Sequence, residues 1–142
     1  MRAAELVTAL DESGFVYISP LKSDGQESTC HAEVWFAHLD RSVVLITGAE
    51  RWKARAVSKG LDRARIWVGD RGRWKQLIGR NAGFRKAPHF DARVERVQDE
   101  KLLERMLAVF DEKYPEEIAD WRDRMRSGFR DGTRHLLRYT PI

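Results

Sequence analysis

Residues 43–55, with the sequence VVLITGAERWKAR, change from a strand pattern to a helix pattern within one short segment. The apolar run from Val43 to Thr47 is typical of a strand, and Gly48 ends it. A basic helical turn with Lys53 follows, and the first backbone N–H groups of a helix have no acceptor within that helix. This order predicts an anion pocket in which backbone amides, the Thr47 hydroxyl and Lys53 hold a phosphate together.

The segment before this stretch predicts a second strand that forms a hairpin with the first. From Thr29 to Leu39, residues alternate between two faces, and both faces are largely apolar near Trp35. The polar pair Asp40-Arg41 separates this segment from the apolar run, which suits a tight turn. We therefore expect residues 29–39 and 43–47 to be antiparallel neighbours.

Helical spacing of apolar residues and capping residues predict four helices, and period-2 runs predict further strands. The first helix starts at Ala3 and ends before Gly14, and the second runs from Arg51 to Lys59 with Gly60 as its cap. The third has Asp99 as its N-cap and an apolar stripe of Leu102, Leu103, Met106, Leu107 and Phe110. The fourth runs from Pro115 to Gly128, with Ile118, Trp121 and Met125 facing inward. The other strands are Phe15–Ser19, Arg65–Gly69, Trp74–Ile78, His89–Val97 and His135–Tyr139.

This order of elements predicts the fold class. Strands follow one another without the regular intervening helices that a parallel sheet needs, which argues against a doubly wound architecture. We expect an α+β fold with an antiparallel barrel or strongly curved sheet. At 142 residues the chain has the length of one domain, residues 1–142, and its 42% hydrophobic content can build a core without disulfides.

Composition narrows the class of protein. Cys30 is the only cysteine, which excludes an internal disulfide and favours a reducing, cytoplasmic setting for an inert buried thiol. No window approaches the roughly 18 apolar residues of a membrane span. The four histidines are scattered without the spacing of metal ligands, so we expect no metal. The net charge of +4 favours anionic partners only weakly.

The hairpin, the basic turn with Lys53, the helix after it and the strand from Ala64 to Val68 together resemble a known family. They are similar to the FMN-binding split barrel of the pyridoxamine 5′-phosphate oxidase-like proteins, a superfamily that includes the deazaflavin-dependent oxidoreductases. The resemblance continues through residues 90–97 and covers roughly residues 29 to 140. It implies a six-stranded split β-barrel with flanking helices and a homodimer with cofactor sites at the subunit interface. The implied cofactor is FMN or a deazaflavin, used for hydride transfer to or from a small organic substrate.

The resemblance also implies which residues bind the cofactor. Thr47 and Lys53 match the positions that hold its phosphate, and Arg51, Trp52 and Arg55 lie on the same turn. The strand beside the ring system is matched by Val34, Trp35 and Phe36. The chain departs from many relatives in having Arg51 where they have a serine, and residues 72–88 have no match in the pattern.

Each of these residues also has a purely structural interpretation. Thr47 and Lys53 are then a strand-end hydroxyl and a solvated lysine, and Trp35 and Trp67 are core aromatics, since large aromatic side chains dominate burial. Trp52 is less expected in a core, because it lies between two basic residues at a helix start. No catalytic residue stands out, which suits a protein whose cofactor carries the chemistry.

A second class of function is a non-enzymatic split-barrel module that binds another anionic ligand or nucleic acid. Basic residues interleaved with Trp74 and Phe84 would serve phosphates and stacked bases; they are Arg71, Arg73, Lys75, Arg80, Arg85 and Lys86. The small net charge argues against it, because dedicated nucleic-acid domains are usually more basic. The oxidoreductase is therefore the first prediction, with nucleic acid an unlikely partner.

Overall fold

The computed structural model describes residues 3–27, 32–68 and 87–142. Several predictions made above concern other residues and lie outside the described ranges. These are the thiol of Cys30, the start of the second strand at Thr29, the strand Trp74–Ile78, and the basic residues between Arg71 and Lys86.

Seven strands and four helices make up the described ranges. In chain order they are α1 (Ala3–Glu12), β1 (Val16–Pro20), β2 (Ala32–Val34), β3 (Ala37–Leu39), β4 (Ser42–Gly48), α2 (Trp52–Ser58), β5 (Arg63–Val68), β6 (His89–Arg96), α3 (Glu100–Lys113), α4 (Ile118–Asp131) and β7 (Arg134–Pro141). The expected α+β class is confirmed.

One antiparallel sheet contains all seven strands, in the spatial order β2-β1-β5-β6-β7-β4-β3. The strands β2 and β3 lie at its two opposite edges, although only Trp35 and Phe36 separate them in the chain. Three Cα steps span at most about 11 Å, so the two edges must approach each other there. The sheet is therefore curled into a barrel, as the sequence predicted.

The prediction of a single strand from Thr29 to Leu39 is wrong, because the segment is divided at Trp35 and Phe36 between the two sheet edges. Only its second half, β3, forms the predicted hairpin with β4, and Asp40 and Arg41 make the tight turn with positive φ values of 52° and 63°. The first half, β2, pairs with β1 instead. The expected six-stranded barrel thus becomes seven strands, because one strand serves both edges.

Side chains from the barrel strands share one interior core. It includes Val16, Leu45, Ile66, Val94 and Leu137, which come from β1, β4, β5, β6 and β7. Leu10 of α1 packs into the same core. A second core lies outside the barrel, where α3 and α4 cover β3, β4 and β7. Alternate residues of β4 therefore belong to different cores: Leu45 lies inside the barrel, and Val44 lies under the helices.

Helix α3 agrees with the sequence in its N-cap and its buried face, whereas α4 differs in its start and in one residue of its buried face. Asp99 caps α3 as predicted, with its side chain accepting a hydrogen bond from the Lys101 N–H at 2.9 Å. However, α4 begins at Ile118 rather than Pro115 and continues through Gly128. The expectation that Trp121 faces inward is wrong, since 39% of this residue is exposed.

The point where the chain changes sheet edge is held by the C-terminal end of α3. The Phe36 N–H donates to the Tyr114 hydroxyl at 3.2 Å, and the Lys113 ammonium donates to the Phe36 carbonyl at 2.9 Å. The Tyr114 hydroxyl donates in turn to the Gly14 carbonyl at 2.7 Å. A strand that leaves one sheet edge loses its ladder partners, and these contacts replace them.

We expect Tyr114→Phe to lower the free energy of unfolding by about 2 kcal/mol, because it removes the partner of the buried Phe36 N–H. Urea unfolding of the two proteins measures the difference. Tyr17→Phe is the matched control: its hydroxyl donates to the partly exposed Glu33 carboxylate at 2.7 Å, which water can solvate after the change. An equal loss in both variants would contradict a special role for Tyr114.

Candidate functional site

A cleft of about 320 Å³ lies where the strand change at Val34 and Trp35 meets the end of β4. The start of α2 and the two covering helices complete its walls. Its lining residues are Val34, Trp35, Ile46, Thr47, Lys53, Phe110, Trp121, Met125 and Arg134. Two of these residues are cationic and none is acidic, so the cleft favours an anion.

The cation at the start of α2 is almost fully buried. Lys53 is 9% exposed, and its ammonium lies 4.6 Å from the centroid of the Trp52 ring. Burial, and then the nearby charge of Arg51, hold the pKa of Lys53 below its ordinary value. In the part of the chain that the structure describes, no carboxylate pairs with it. A buried charge without a counter-ion is costly, so Lys53 is poised for an anion that enters the cleft.

Thr47 lies at the end of β4, with 7% of the residue exposed. Its neighbour across the sheet is His135 of β7. Burial first, and then the charge of Arg96, lower the pKa of His135. A neutral histidine opposite Thr47 adds no positive charge there, so Lys53 and Arg134 supply the positive charge of the cleft.

Aromatic rings form the opposite wall. Trp35 stacks on Tyr114 with ring centroids 4.3 Å apart and an interplanar angle of 12°, and it meets Phe110 edge-on at 5.9 Å. The Phe110 and Tyr114 rings also meet edge-on at 5.2 Å. The stack fixes the plane of the Trp35 indole, which is only partly buried. A flat, fixed aromatic wall suits a ligand with a ring system.

The structure brings together four of the eight residues that the resemblance implied. Val34, Trp35, Thr47 and Lys53 line the cleft. The other four do not. Phe36 is fully buried in the barrel core, Arg51 is exposed at the N-cap of α2, Arg55 is exposed on α2, and Trp52 is partly buried beside Lys53. Their roles in binding a cofactor stay predictions.

Sequence reasoning missed the contributions of α3, α4 and β7. Phe110 and Met125 were recognised only as core residues, and Ile46 only as part of a strand. The sequence did not predict a role for Arg134, because no flanking residue distinguishes it from the many other arginines of the chain. Only the docking of the two helices against β4 and β7 places these side chains around the cleft.

Residues 3–27, 32–68 and 87–142 also bear on metal binding and on membrane insertion. No three His, Cys, Asp or Glu side chains there lie close enough together to hold a metal ion. None of the helices in these ranges is both long enough and apolar enough to cross a membrane.

The fold recurs in solved structures of low sequence identity. A conserved hypothetical protein from Mycobacterium tuberculosis matches with a TM-score of 0.66 at 17% identity, covering 99% of this chain and 81% of that chain. The heme storage protein HutZ from Vibrio cholerae matches with a TM-score of 0.63 at 18% identity, covering 100% and 92%. A candidate pyridoxamine 5′-phosphate oxidase from Listeria innocua has a TM-score of 0.58 at 12% identity, covering 98% and 92%.

An FAD-binding protein from Mesorhizobium loti also shares the fold, with a TM-score of 0.61 at 13% identity, covering 100% of this chain and 91% of that chain. No family model and no curated protein sequence matches the chain. The likeness therefore lies in the fold, and it confirms the split-barrel architecture that the sequence resemblance implied. The fold alone serves proteins with different ligands, so function must be argued from the cleft.

Proposed function

We propose that the cleft binds FMN or a deazaflavin and that the protein is an oxidoreductase that exchanges a hydride with a small organic substrate. The observation that carries the proposal is Lys53: a buried lysine, without a carboxylate partner in the described ranges, that lines a cleft with aromatic walls. A cofactor that has both an anionic end and a flat ring system meets both requirements.

The residues of the cleft fit such a cofactor. Lys53 would supply a charge-assisted hydrogen bond to its phosphate, and the Thr47 hydroxyl would donate a second one. Trp35 and Phe110 would pack against apolar ring surface and keep water away from it. When bound, the cofactor supplies the hydride chemistry, while the protein supplies binding, orientation and exclusion of water.

The homodimer implied by the resemblance is part of this proposal. At about 320 Å³, the cleft is near the lower limit for pockets that enclose a small ligand, and it is partly open to solvent. A second chain that covers the open side would complete the enclosure.

Absorption and fluorescence titrations of the purified protein test the proposal. FMN, a deazaflavin and heme are added separately, heme because a heme storage protein shares the fold. We expect FMN or the deazaflavin to bind at tens of micromolar or below. Failure of both to bind in that range, or binding of heme alone, would overturn the proposal.

The same sample distinguishes an enzyme from a binding module. Under anaerobic conditions, reduced nicotinamides are added to the loaded protein, and the visible absorption band of the bound cofactor is followed. Bleaching of that band supports an oxidoreductase. A bound cofactor that neither the nicotinamides nor other organic hydride donors reduce would favour the non-enzymatic module.

A further inference from the structure

Gly128 lies inside α4 and makes room for a side chain of β7. A Cβ atom built at this position would lie 2.6 Å from both Cγ and Cδ of Arg134 and 3.0 Å from its Cβ. Contacts this short require a shift of the neighbouring atoms. The glycine therefore interrupts neither the helix nor its packing, and it provides the notch across which the aliphatic stem of Arg134 runs.

The notch directs the Arg134 guanidinium to the cleft. Trp121, Met125 and Gly128 share one face of α4, at positions i, i+4 and i+7. The guanidinium carbon lies 5.6 Å from the centroid of the Trp121 ring, and Arg134 and Trp121 both line the cleft. An arginine held over an indole ring by a cation–π contact keeps its planar set of donors for a ligand.

Arg134 differs in its partners from three of the four arginines of α4. Arg122, Arg126 and Arg130 each pair with a carboxylate of α3, namely Asp111, Glu104 and Glu100. For Arg134, in contrast, no carboxylate lies within ion-pair distance in the described ranges. The three paired arginines hold the helices together, whereas the guanidinium of Arg134 remains available to a ligand.

Thr47 and Arg134 belong to opposite faces of the sheet. Arg134 pairs across the sheet with Gly48, and Thr47 is the next residue along β4. Because neighbouring residues of a strand point to opposite faces, the Thr47 side chain points into the barrel, and that of Arg134 points towards α4. One anionic group at Thr47 and Lys53 thus leaves Arg134 for a second one.

We propose that Arg134 binds the carboxylate or phosphate of the substrate, with the apolar part of that substrate against Trp121. This inference rests on the proposed function, and it gives the hydride-exchanging substrate a class: a small organic anion. Carboxylate and phosphate share the geometry that an arginine fork binds through two parallel hydrogen bonds.

Benzoate and phenyl phosphate are the probes, and the free protein is the sample. Binding is followed by NMR through the indole N–H resonance of Trp121, which is assigned with Trp121→Phe. The variants are Arg134→Gln, Arg134→Lys and Gly128→Ala. Arg124→Gln is the matched control, because Arg124 lies 5.3 Å from the same Trp121 ring without lining the cleft.

We expect Arg134→Gln to weaken binding of at least one probe about tenfold or more, and Arg134→Lys to weaken it less. Gly128→Ala should weaken it without removing a charge. Arg124→Gln should change it by less than about twofold, since an exposed charge contributes little. Comparing the two probes identifies carboxylate or phosphate as the preferred group. Thermal melting verifies that each variant is folded. Should Gly128→Ala not fold, the Arg134→Gln result alone tests the inference.

Three outcomes would overturn the inference. One is that neither probe shifts the Trp121 resonance at millimolar concentration, and another is equal weakening by Arg124→Gln and Arg134→Gln. The third is that Arg134→Gln weakens FMN binding while leaving both probes unaffected, which would assign Arg134 to the cofactor. A wild-type protein that binds the probes but no flavin or deazaflavin would contradict the proposed function while retaining an anion site at Arg134.

Discussion

Lys53→Met is expected to weaken binding of FMN or the deazaflavin by about 1–3 kcal/mol, which corresponds to roughly 5- to 150-fold in the dissociation constant. Methionine keeps the length and much of the volume of the lysine side chain, so the change removes the charge and little else. The loss follows from the phosphate contact that the buried ammonium would make. Titrations of the variant and the wild-type protein measure it.

The same substitution is expected to stabilise the free protein. In the absence of a ligand the Lys53 residue is 9% exposed, and the structure gives its ammonium no carboxylate partner in the described ranges. Replacing it with an apolar side chain removes a desolvation cost and should raise the free energy of unfolding by about 1 kcal/mol, or the melting temperature by about 3–5 °C. Opposite effects on stability and binding would be typical of a functional residue.

The lowered pKa of Lys53 gives a pH dependence of defined sign. Below its folded-state pKa the lysine is charged in both states, and the folded protein carries the full cost of burying it. As the pH rises from that pKa towards the ordinary lysine value, the folded state loses its proton while the unfolded state keeps it. The stability contribution of Lys53 therefore becomes less unfavourable with rising pH, and phosphate affinity falls over the same window.

Lys59→Met is the matched control, because it removes the same charge from an exposed position one residue after α2. We expect little change in either stability or affinity. If the two variants weaken binding equally, the effect belongs to the general charge of the protein, and Lys53 is not in the site. If Lys53→Met lowers the melting temperature, the contact of the ammonium with the Trp52 ring outweighs the cost of burying it.

Phe110→Ala is expected to lower the free energy of unfolding by about 3–5 kcal/mol, the largest effect on stability that we anticipate. Phe110 is 1% exposed and belongs to the core beneath the covering helices. Its ring meets both Trp35 and Tyr114 edge-on. Truncation leaves a cavity between a helix and the strand change, where the neighbouring rings cannot collapse inward without breaking their own stack.

Chemical unfolding measures this cost, and Phe129→Ala serves as the control, since it removes the same ring from a partly buried position on α4. The loss in free energy of unfolding should be clearly smaller for Phe129→Ala than for Phe110→Ala. A loss below about 1.5 kcal/mol for Phe110→Ala would mean that the wall of the cleft is not packed as described. Because Phe110 lines the cleft, the variant should also bind the cofactor more weakly at temperatures where it is still folded.

Local sequence patterns predicted much of the fold. The period-2 alternation of β6, the cap at Asp99 and the apolar stripe of α3 each follow from neighbouring residues, so the sequence predicted them. The division of the strand at Trp35 and Phe36 did not follow in this way, because alternation continues through both residues. The pairing of its halves depends on curvature of the whole sheet and on contacts with Lys113 and Tyr114, far along the chain.

Gly128 illustrates the same limit in the site. In the sequence a glycine near the end of a helical pattern indicates a cap, and Gly132, with a φ of +83°, in fact has that role four residues later. What Gly128 does depends on Arg134, which reaches it only after the chain has turned into β7. No local signal distinguishes a glycine that ends a helix from one that admits a neighbouring side chain.

Short-range periodicity and turn chemistry specify the fold class, the order of the elements and the position of Thr47 and Lys53 at a strand-to-helix junction, so these could be predicted from the sequence. The burial of Lys53 without a counter-ion in the described ranges, and its meeting with Phe110, Trp121 and Arg134 around one cleft, could be seen only in the folded chain. The physical reason is that burial and charge pairing arise between segments distant in the chain, where hydrophobic packing of α3 and α4 against the barrel fixes the neighbours of each side chain.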